Sequence, residues 1–229
     1  MRHILRVSSY NLRDLKDDRQ AAARVVRAIN PDVLCLQEVP RHLLSGTRIA
    51  SFAALCGLYW SGGHRGSGGT TVMSSLRVDV ANVRHSPLRV SRLQRERGYA
   101  VSDVRLPGHQ SVTFASIHLS LNARERAAHA ATVLQELGLD RGLVVAGDLN
   151  EGSYGDAWNT LAGKLRVISG DRATYPAGNP RHRLDVIFAS PELAVRAGGP
   201  VELDPADLRS ASDHLPVWAD LDLSYLALP

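Results

Sequence analysis

The sequence predicts a layered α/β fold, and three observations lead to this prediction. Apolar runs of strand length alternate along the chain with segments that have helical periodicity. The middle of the chain is rich in strand-like runs joined by turn residues such as Pro107-Gly108, which indicates hairpins and substantial antiparallel sheet. A chain of 229 residues without a linker or an internal repeat fits one domain with a large core, so we expect a single domain over 1–229.

The first half of the chain is predicted to contain two helices and most of the strands. Ala22, Val25, Val26 and Ile29 follow the i, i+3, i+4, i+7 rule, which predicts a helix over 19–29 that Asn30-Pro31 ends. A second helix is expected over 49–58. The strands expected up to this point and through the middle of the chain are 4–10, 32–36, 70–74, 78–83, 99–106 and 111–117.

The second half is predicted to contain one long amphipathic helix and three further strands. Ala127, Ala130, Ala131, Leu134 and Leu137 share one face, which predicts a helix over 123–137. A short helix is expected over 157–161. The remaining strands are expected at 143–146, 184–189 and 216–223.

Composition places the chain among ordinary globular proteins, with 44% hydrophobic and 22% charged residues. No apolar run approaches the roughly 18 residues that a membrane-spanning helix needs, and Arg6 interrupts the N-terminal apolar run too early for a secretory signal. We therefore expect a cytoplasmic protein, a monomer with no membrane insertion and no obligate protein partner. The net charge of +4 permits an anionic substrate. Cys35 and Cys56 are expected to be core hydrophobes that form no disulfide.

Short polar motifs occur where the strand-like runs end. An unpaired carboxylate is costly to bury, so its repeated placement at the ends of strands indicates one shared polar site. We expect this site to hold a cation and to act on a phosphate ester. The motifs are Tyr10-Asn11, Gln37-Glu38, His118, Gly147-Asp148-Leu149-Asn150, Arg183-Leu184-Asp185 and Ser212-Asp213-His214.

Three of these residues are candidate metal ligands. Asn11, Glu38 and Asp213 offer only oxygen atoms, and hard oxygen donors favour Mg2+ or Mn2+ over Zn2+. Taken alone, each residue has an ordinary structural explanation, such as closing a turn or orienting a loop. The metal prediction therefore depends on the three residues acting together.

Five residues are candidates for the chemistry itself. The spacing of Asp148 and Asn150 places both side chains on one side of an extended segment, after a glycine that lets the backbone turn. The carboxylate can accept a proton from water while the amide fixes its direction. His118 and His214 can stabilise charge on a phosphate. Asp185 enters a buried strand and needs a partner, and we expect that partner to be His214.

The order and spacing of these motifs resemble those of the endonuclease/exonuclease/phosphatase superfamily of metal-dependent phosphoesterases, over nearly the whole chain. The resemblance implies an α/β four-layer sandwich, in which two mixed β-sheets pack face to face and are flanked by helices. It implies that Glu38 is the principal ligand of Mg2+, helped by Asn11 and Asp213. Further roles follow for the other motif residues: His118 and His214 on the non-bridging oxygens, Asp148 activating or aligning water, Asn150 orienting the phosphate or Asp148, and Asp185 orienting His214.

Two departures from the pattern of abasic-site endonucleases place the chain nearer to the deoxyribonuclease and phosphatase branches. Arg13 stands where those enzymes usually carry an acidic residue, and His118 stands where they tend to have a tyrosine. The deoxyribonuclease branch supports its first histidine with a second glutamate. No residue of this sequence can be identified as that glutamate, so the partner of His118 stays open.

The substrate is less well determined than the chemistry. Arg97, Arg41 and Arg65 are the main candidate substrate contacts, and Arg97 stands out because it directly precedes a strand. The leading hypothesis is a phosphodiesterase that cleaves nucleic acid, as a nuclease of endo or exo type. A phosphatase or phosphodiesterase of a small-molecule or lipid phosphoester is the first alternative, and a non-catalytic nucleic-acid-binding module on the same fold is the second. Further candidate arginines are Arg92, Arg95 and Arg124.

Overall fold

Two six-stranded β-sheets pack face to face between two layers of helices. The computed structural model describes residues 3–92, 94–139, 142–196 and 201–228. This architecture confirms the predicted α/β four-layer sandwich. In chain order the described strands are β1 (Ile4–Asn11), β2 (Val33–Gln37), β3 (Tyr59–Trp60), β4 (Thr71–Ser74), β5 (Asp79–Leu88), β6 (Arg97–Arg105), β7 (Val112–His118), β8 (Leu143–Asp148), β9 (Arg166–Val167), β10 (Asp185–Ala189), β11 (Ala194–Arg196) and β12 (Val217–Asp222).

Each sheet is mixed, with one parallel pair at its centre. The first sheet has the order β11-β12-β1-β2-β4-β3, and the second has the order β5-β6-β7-β8-β10-β9. β1 and β2 run parallel, as do β7 and β8, while the other paired strands of the described chain are antiparallel. Parallel strands finish at the same edge of a sheet, so the ends of these four strands gather at one end of the sandwich.

Helices cover the outer face of each sheet. The helices are α1 (Arg19–Ile29), α2 (Ser45–Cys56), α3 (Ala123–Leu137), α4 (Asp156–Ala162) and α5 (Pro205–Ala211). Apolar residues of α1, α2 and α5 pack on the first sheet, and those of α3 and α4 pack on the second. Asp18 caps α1 because its carboxylate accepts hydrogen bonds from the backbone N–H groups of Gln20 and Ala21. None of the described helices has the length and apolar character to cross a bilayer.

Alternate residues of the central strands point into the space between the sheets. Successive side chains of a strand face opposite sides, so one parity of β1 lies in this space and the other lies under the helices. Leu5 and Val7 of β1 face Phe114 of β7 and Val144 of β8 in a continuous apolar core. The same parity, continued to the ends of the strands, turns polar side chains inward at one end.

The predicted elements are present, with ends that differ by a few residues. The second helix begins at Ser45, earlier than expected. β5 continues to Leu88, past the expected end at residue 83, and the early end was predicted because a bulge between Ala81 and Arg84 breaks the alternation of its side chains. The strands β3, β9 and β11 were not predicted, since strands of two or three residues are too short to show a period. The seven-residue helix α5 was not predicted either. Both cysteines are buried and unbonded, as expected.

Candidate active site

The polar motifs converge where β1, β2, β7 and β8 end. The strand pairing sets Asn11 of β1 beside Gln37 of β2 in the first sheet. In the second sheet Asp148 of β8 lies between His118 of β7 and Asp185 of β10. Backbone register alone therefore brings three charged or titratable side chains together.

Asp148 lies at the centre of this group and is 1% exposed. Its Oδ1 accepts a hydrogen bond of 2.8 Å from the backbone N–H of Asn150, and its Oδ2 accepts one of 3.0 Å from Nδ2 of Asn11. Nε2 of His118 and Nε2 of His214 lie 3.5 and 3.8 Å from the same Oδ2. Burial, reinforced by the nearby charge of Asp185, raises the pKa of Asp148 to about 6.

His214 is held by the carboxylate that the sequence predicted as its partner. Its Nδ1 lies 2.8 Å from Oδ2 of Asp185 and donates to it, which leaves Nε2 facing Asp148. Burial, the largest influence, favours the neutral ring, but the charges of Asp185, Asp148 and Asp213 outweigh it and raise the pKa of His214 to about 9. The ring is therefore a cation at neutral pH.

His118 has the opposite character. It is fully buried, and burial, followed by the positive charge of Arg97, holds its pKa well below the usual range. Its Nδ1 has no hydrogen-bond partner among the described residues, a glutamate included. The two histidines thus present a neutral ring and a charged ring to the same carboxylate.

The predicted metal ligands lie around the edge of this group. The Glu38 carboxylate is partly exposed, with Oε1 3.8 Å from Nη1 of Arg95. The side chain of Asn11 is engaged at both ends, since its Nδ2 donates to Asp148 and its Oδ1 accepts from the backbone N–H of Arg13. Oδ2 of Asp213 lies 3.4 Å from Nε of Arg13.

Two buried oxygens at the site lack a donor within the part of the chain that the structure describes. These are Oδ1 of Asp185 and Oδ1 of Asp213. Leaving a carboxylate oxygen buried and unpaired is costly, and a cation would satisfy it. One ligand atom each from Asp148, Asp185 and His214 lies within 4.8 Å of the others, so these residues could also hold a metal ion. The site therefore fits a divalent cation, although the closest cluster differs from the predicted ligand set and leaves out Glu38.

Arg97 is buried close to the central group. It is 6% exposed, and burial lowers its pKa although the nearby charges of Glu38 and Asp148 oppose this shift. Its Nε donates to the carbonyl of Leu119 at 2.9 Å. The side-chain amide of Asn150 donates to the same carbonyl at 2.9 Å. Of the arginines that the sequence proposed, Arg97 is the one buried against the central group.

The other candidate arginines lie farther out. Arg41 is partly exposed and pairs with Glu96 at 3.4 Å. Arg65 is exposed in the glycine-rich loop 61–69, and its neighbour His64 lies 2.9 Å from Ser45 of α2. Arg92 and Arg124 are also exposed.

Three residues without a predicted role hold Asp185 and His214 in place. Oγ1 of Thr174 accepts hydrogen bonds from the backbone N–H groups of Leu184 and Asp185 at 3.1 and 3.2 Å. The ring of Tyr175 lies against the His214 ring, with centroids 4.8 Å apart. Oγ of Ser212 donates to the Asn11 carbonyl at 2.7 Å and accepts from the His214 backbone N–H at 3.3 Å. Ser212 thus connects the loop before β12 to the end of β1, while Thr174 supports Asp185 and Tyr175 supports His214.

Gln37 supports the site by joining the two sheets. It is fully buried, its Nε2 donates to Oγ of Ser116 in β7 at 3.0 Å, and its Oε1 accepts from Oγ of Ser9 in β1 at 3.3 Å. Gln37 had no predicted role beyond its place beside Glu38 in the motif. Its inward parity, shared with Val33 and Cys35, was the signal that could have identified it.

Gly147 has a different role from the predicted one. It lies inside β8, and the backbone does not turn there. A Cβ atom at this position would lie 1.9 Å from the carbonyl oxygen of Ile117 in β7. The glycine is required because the two strands approach closely beside the site, while the positive φ of 53° occurs later, at Asn150.

Comparisons with known proteins identify the fold. The family model described as Endonuclease/Exonuclease/phosphatase family matches residues 7–214. No curated protein matches the chain. An endonuclease/exonuclease/phosphatase from Beutenbergia cavernae is 25% identical with a TM-score of 0.73, covering 96% of this chain and 72% of that one.

Two more distant structures share the fold. A mannosyl-6-phosphatase from Bacteroides thetaiotaomicron is 18% identical, with a TM-score of 0.77 and coverage of 95% of this chain and 99% of that one. The human Nocturnin catalytic domain with bound sulfate is 20% identical, with a TM-score of 0.73 and coverage of 98% and 96%. At these identities the likeness establishes the fold alone.

Proposed function

The chain belongs to the endonuclease/exonuclease/phosphatase family, and from this premise we propose that it is a Mg2+-dependent phosphodiesterase that cleaves nucleic acid by in-line attack of water. The fold is that of a phosphoesterase, and enzymes of this family use divalent metals. The observation that supports the proposal most strongly is the arrangement of Asn11, His118 and His214 around one oxygen of the buried Asp148.

Asp148 is suited to receive a proton from water. Its pKa of about 6 keeps it largely ionised at neutral pH and close enough to neutrality to accept a proton. The backbone N–H of Asn150 and the amide of Asn11 fix the direction of its two oxygens. We assign Asp148 as the group that aligns and deprotonates the attacking water.

The two histidines and Arg97 are suited to stabilise negative charge. The charged ring of His214 can donate from Nε2 to a non-bridging phosphate oxygen while Asp185 holds Nδ1. His118 can donate one hydrogen bond as a neutral ring. Arg97 adds a buried positive charge near His118. We assign these groups the role of stabilising the negative charge on the oxygens of the pentacoordinate phosphorus during in-line attack.

We propose that Glu38, with Asn11 and Asp213, holds the metal ion. Oxygen donors favour Mg2+, and the orphaned Oδ1 of Asp213 supports a cation there. The alternative cluster is less suited, because His214 has no nitrogen left for a metal ion when Nδ1 donates to Asp185 and Nε2 donates to the phosphate. When bound, Mg2+ polarises the phosphoryl oxygens and neutralises part of their charge.

A substrate screen tests the proposal. Purified protein would be incubated with supercoiled plasmid, single-stranded oligonucleotides, RNA, bis-p-nitrophenyl phosphate, inositol phosphates, a sugar phosphate and sphingomyelin, with Mg2+, Mn2+ or EDTA. We expect cleavage of nucleic acid with Mg2+ that EDTA and His214→Ala abolish. Turnover confined to small phosphomonoesters would assign a phosphatase instead, the activity named for the Bacteroides thetaiotaomicron neighbour. No turnover of any substrate would favour a non-catalytic binding module.

A metal titration tests the ligand assignment separately. Glu38→Ala should raise the Mg2+ concentration needed for half-maximal activity by at least about tenfold, because it removes the principal charged ligand. Glu192→Ala removes an exposed carboxylate away from the site and serves as the matched control. An unchanged Mg2+ requirement in Glu38→Ala would refute the assignment.

A further inference from the structure

A cavity of about 460 Å³ opens beside the active site and is rich in basic side chains. We call it the basic cavity. It is lined by Asp14, Lys16, Arg41, His42, Arg48, Arg95 and Glu96. Four side chains are cationic and two are carboxylates, so the cavity carries an excess of positive charge even with His42 neutral.

The carboxylates leave one of the four cations without an acidic partner. Asp14 lies 3.1 Å from Nζ of Lys16 and 3.5 Å from Nη2 of Arg95, and Glu96 pairs with Arg41 at 3.4 Å. Arg48 instead contacts the carbonyl of Leu15 and Nε2 of His42, and it has no carboxylate partner within the described part of the chain. A guanidinium in this state is available to an external anion.

Arg95 joins the basic cavity to the active site. Its Nη1 lies 3.8 Å from Oε1 of Glu38, while its Nη2 lies 3.5 Å from Oδ2 of Asp14. The charges of Arg41 and Arg95 also contribute to the lowered pKa of the buried His118, so both lie near the catalytic group. An anion in the cavity would therefore be a neighbour of the phosphate at the active site.

An unusual backbone turn presents the cavity residues. Arg13, Asp14 and Leu15 all have positive φ angles, of 47°, 58° and 52°, which L-residues seldom adopt. The backbone N–H of Asp14 donates to the Glu38 carbonyl at 2.6 Å and helps to hold this turn. Strained backbone persists where surrounding contacts fix it, often at binding sites, and here it connects the cavity to the backbone of a proposed metal ligand.

We propose that the basic cavity binds a second phosphate group of the substrate, separate from the one that is cleaved. The enzyme then prefers phosphoesters with at least two phosphates over those that carry only the scissile one. Arginine suits this task because its planar fork binds two phosphate oxygens at once. The inference rests on the proposed function, because it takes the scissile phosphate to lie at Asp148. Consecutive phosphates of an oligonucleotide meet this requirement.

Kinetics on matched substrates test the second-phosphate site. We would compare kcat/KM for thymidylyl-(3′,5′)-thymidine with kcat/KM for the same compound carrying a terminal 5′- or 3′-phosphate. We expect at least about a tenfold preference for one phosphorylated form, the size of a charge-assisted hydrogen bond. Arg48→Gln and the exposed Lys16→Gln should each reduce this ratio severalfold. Arg105→Gln, which removes an exposed charge from β6 at the end remote from Arg97, should leave the ratio unchanged.

A binding measurement separates failure of the second-phosphate site from failure of the proposed function. In an Asp148→Asn background, calorimetry would compare thymidine 3′,5′-bisphosphate with thymidine 5′-monophosphate. A preference for the bisphosphate that Arg48→Gln reduces supports the second-phosphate site, even if the screen finds no turnover. Equal affinity for the two ligands overturns it. An equal loss in Arg48→Gln and Arg105→Gln also overturns it, because only the general charge of the protein would then matter.

Discussion

The two ends of the space between the sheets use the same strands for opposite purposes. At one end Phe114, Val144 and Ile187 are fully buried in an apolar core. Farther along the same inward faces, β7, β8 and β10 carry His118, Asp148 and Asp185 instead. One end consists of side chains that leave water favourably, and the other consists of side chains whose burial costs free energy.

This difference separates stability from function within a few residues of one strand. Burying an apolar side chain contributes roughly 25 cal/mol for each Å² removed from water. Burying Asp148 disfavours its charged form, which is why its pKa rises to about 6. The layer of Gln37, Ser9 and Ser116 lies at the boundary and joins the sheets by hydrogen bonds. Mutations at the polar end should therefore reduce turnover without loss of stability, whereas mutations at the apolar end should reduce stability without loss of turnover.

The largest expected effect is on turnover, from Asp148→Ala at the polar end. Removing the group that aligns water should reduce kcat by about 10²–10⁴-fold, the usual contribution of a general base. The thermal unfolding midpoint should stay the same or rise, because a buried carboxylate is removed. Steady-state kinetics with Mg2+ and a calorimetric scan would measure both. Wild-type turnover in this variant would contradict the mechanism.

The corresponding change at the apolar end is Phe114→Ala. It should lower the free energy of unfolding by about 3–5 kcal/mol, because it leaves a cavity between the sheets. The folded fraction should keep its kcat. Urea unfolding followed by circular dichroism measures the stability, with Leu76→Ala, at a residue 91% exposed, as the control. A reduced kcat in the folded fraction would show that the two ends are not separate.

A smaller effect is expected at the boundary layer. Gln37→Ala should lower the free energy of unfolding by about 1–3 kcal/mol, because it leaves the buried hydroxyl groups of Ser9 and Ser116 without their partner. The double variant with Ser116→Ala should lose less stability than the sum of the losses in the two single variants, since both substitutions remove the same hydrogen bond. Urea unfolding of the two single variants and the double variant gives this coupling. Strictly additive losses of stability would mean that this hydrogen bond contributes nothing to holding the sheets together.

The smallest effect concerns a surface carboxylate whose pKa is shifted in the opposite direction from that of Asp148. Hydrogen bonds from Ser120, at 2.6 Å, and from Ser91 lower the pKa of Glu125 to about 2. Because the folded pKa lies below the ordinary 4.5, the stabilisation is present above pH 4.5 and is lost as the pH falls towards 2. Ser120→Ala should move this pKa upward in an NMR titration. An unchanged value would exclude Ser120 as the main cause.

Much of the fold was predictable because its signals are local. The apolar spacing of α1 and the common face of α3 needed only neighbouring residues, and β7 and β8 stood out as apolar runs. The short edge strands carried no such signal, because pairing with a neighbour defines them and their own sequence does not. The single-domain organisation stays a prediction.

The candidate site was predictable as a set of residues and not as a geometry. The placement of polar residues at strand ends predicted Asp148 and His214 as site residues. The need of the buried Asp185 for a partner predicted its contact with His214. The predicted role of Gly147 was wrong, because the close approach of Ile117 comes from a strand that is distant in sequence. The supporting roles of Thr174 and Ser212 were not predicted for the same reason, since their hydrogen-bond partners belong to other elements.

The sequence by itself determined which side chains are polar at strand ends, which oxygens could bind a cation and which family the motifs resemble. Only the tertiary structure decided that Asn11 and Asp148, 137 positions apart, share a hydrogen bond, and that Arg95 connects Glu38 to a basic cavity. The reason is physical: residue type and local periodicity are properties of neighbouring residues, whereas distances across the sandwich depend on how two parallel strand pairs align when the apolar core between them closes.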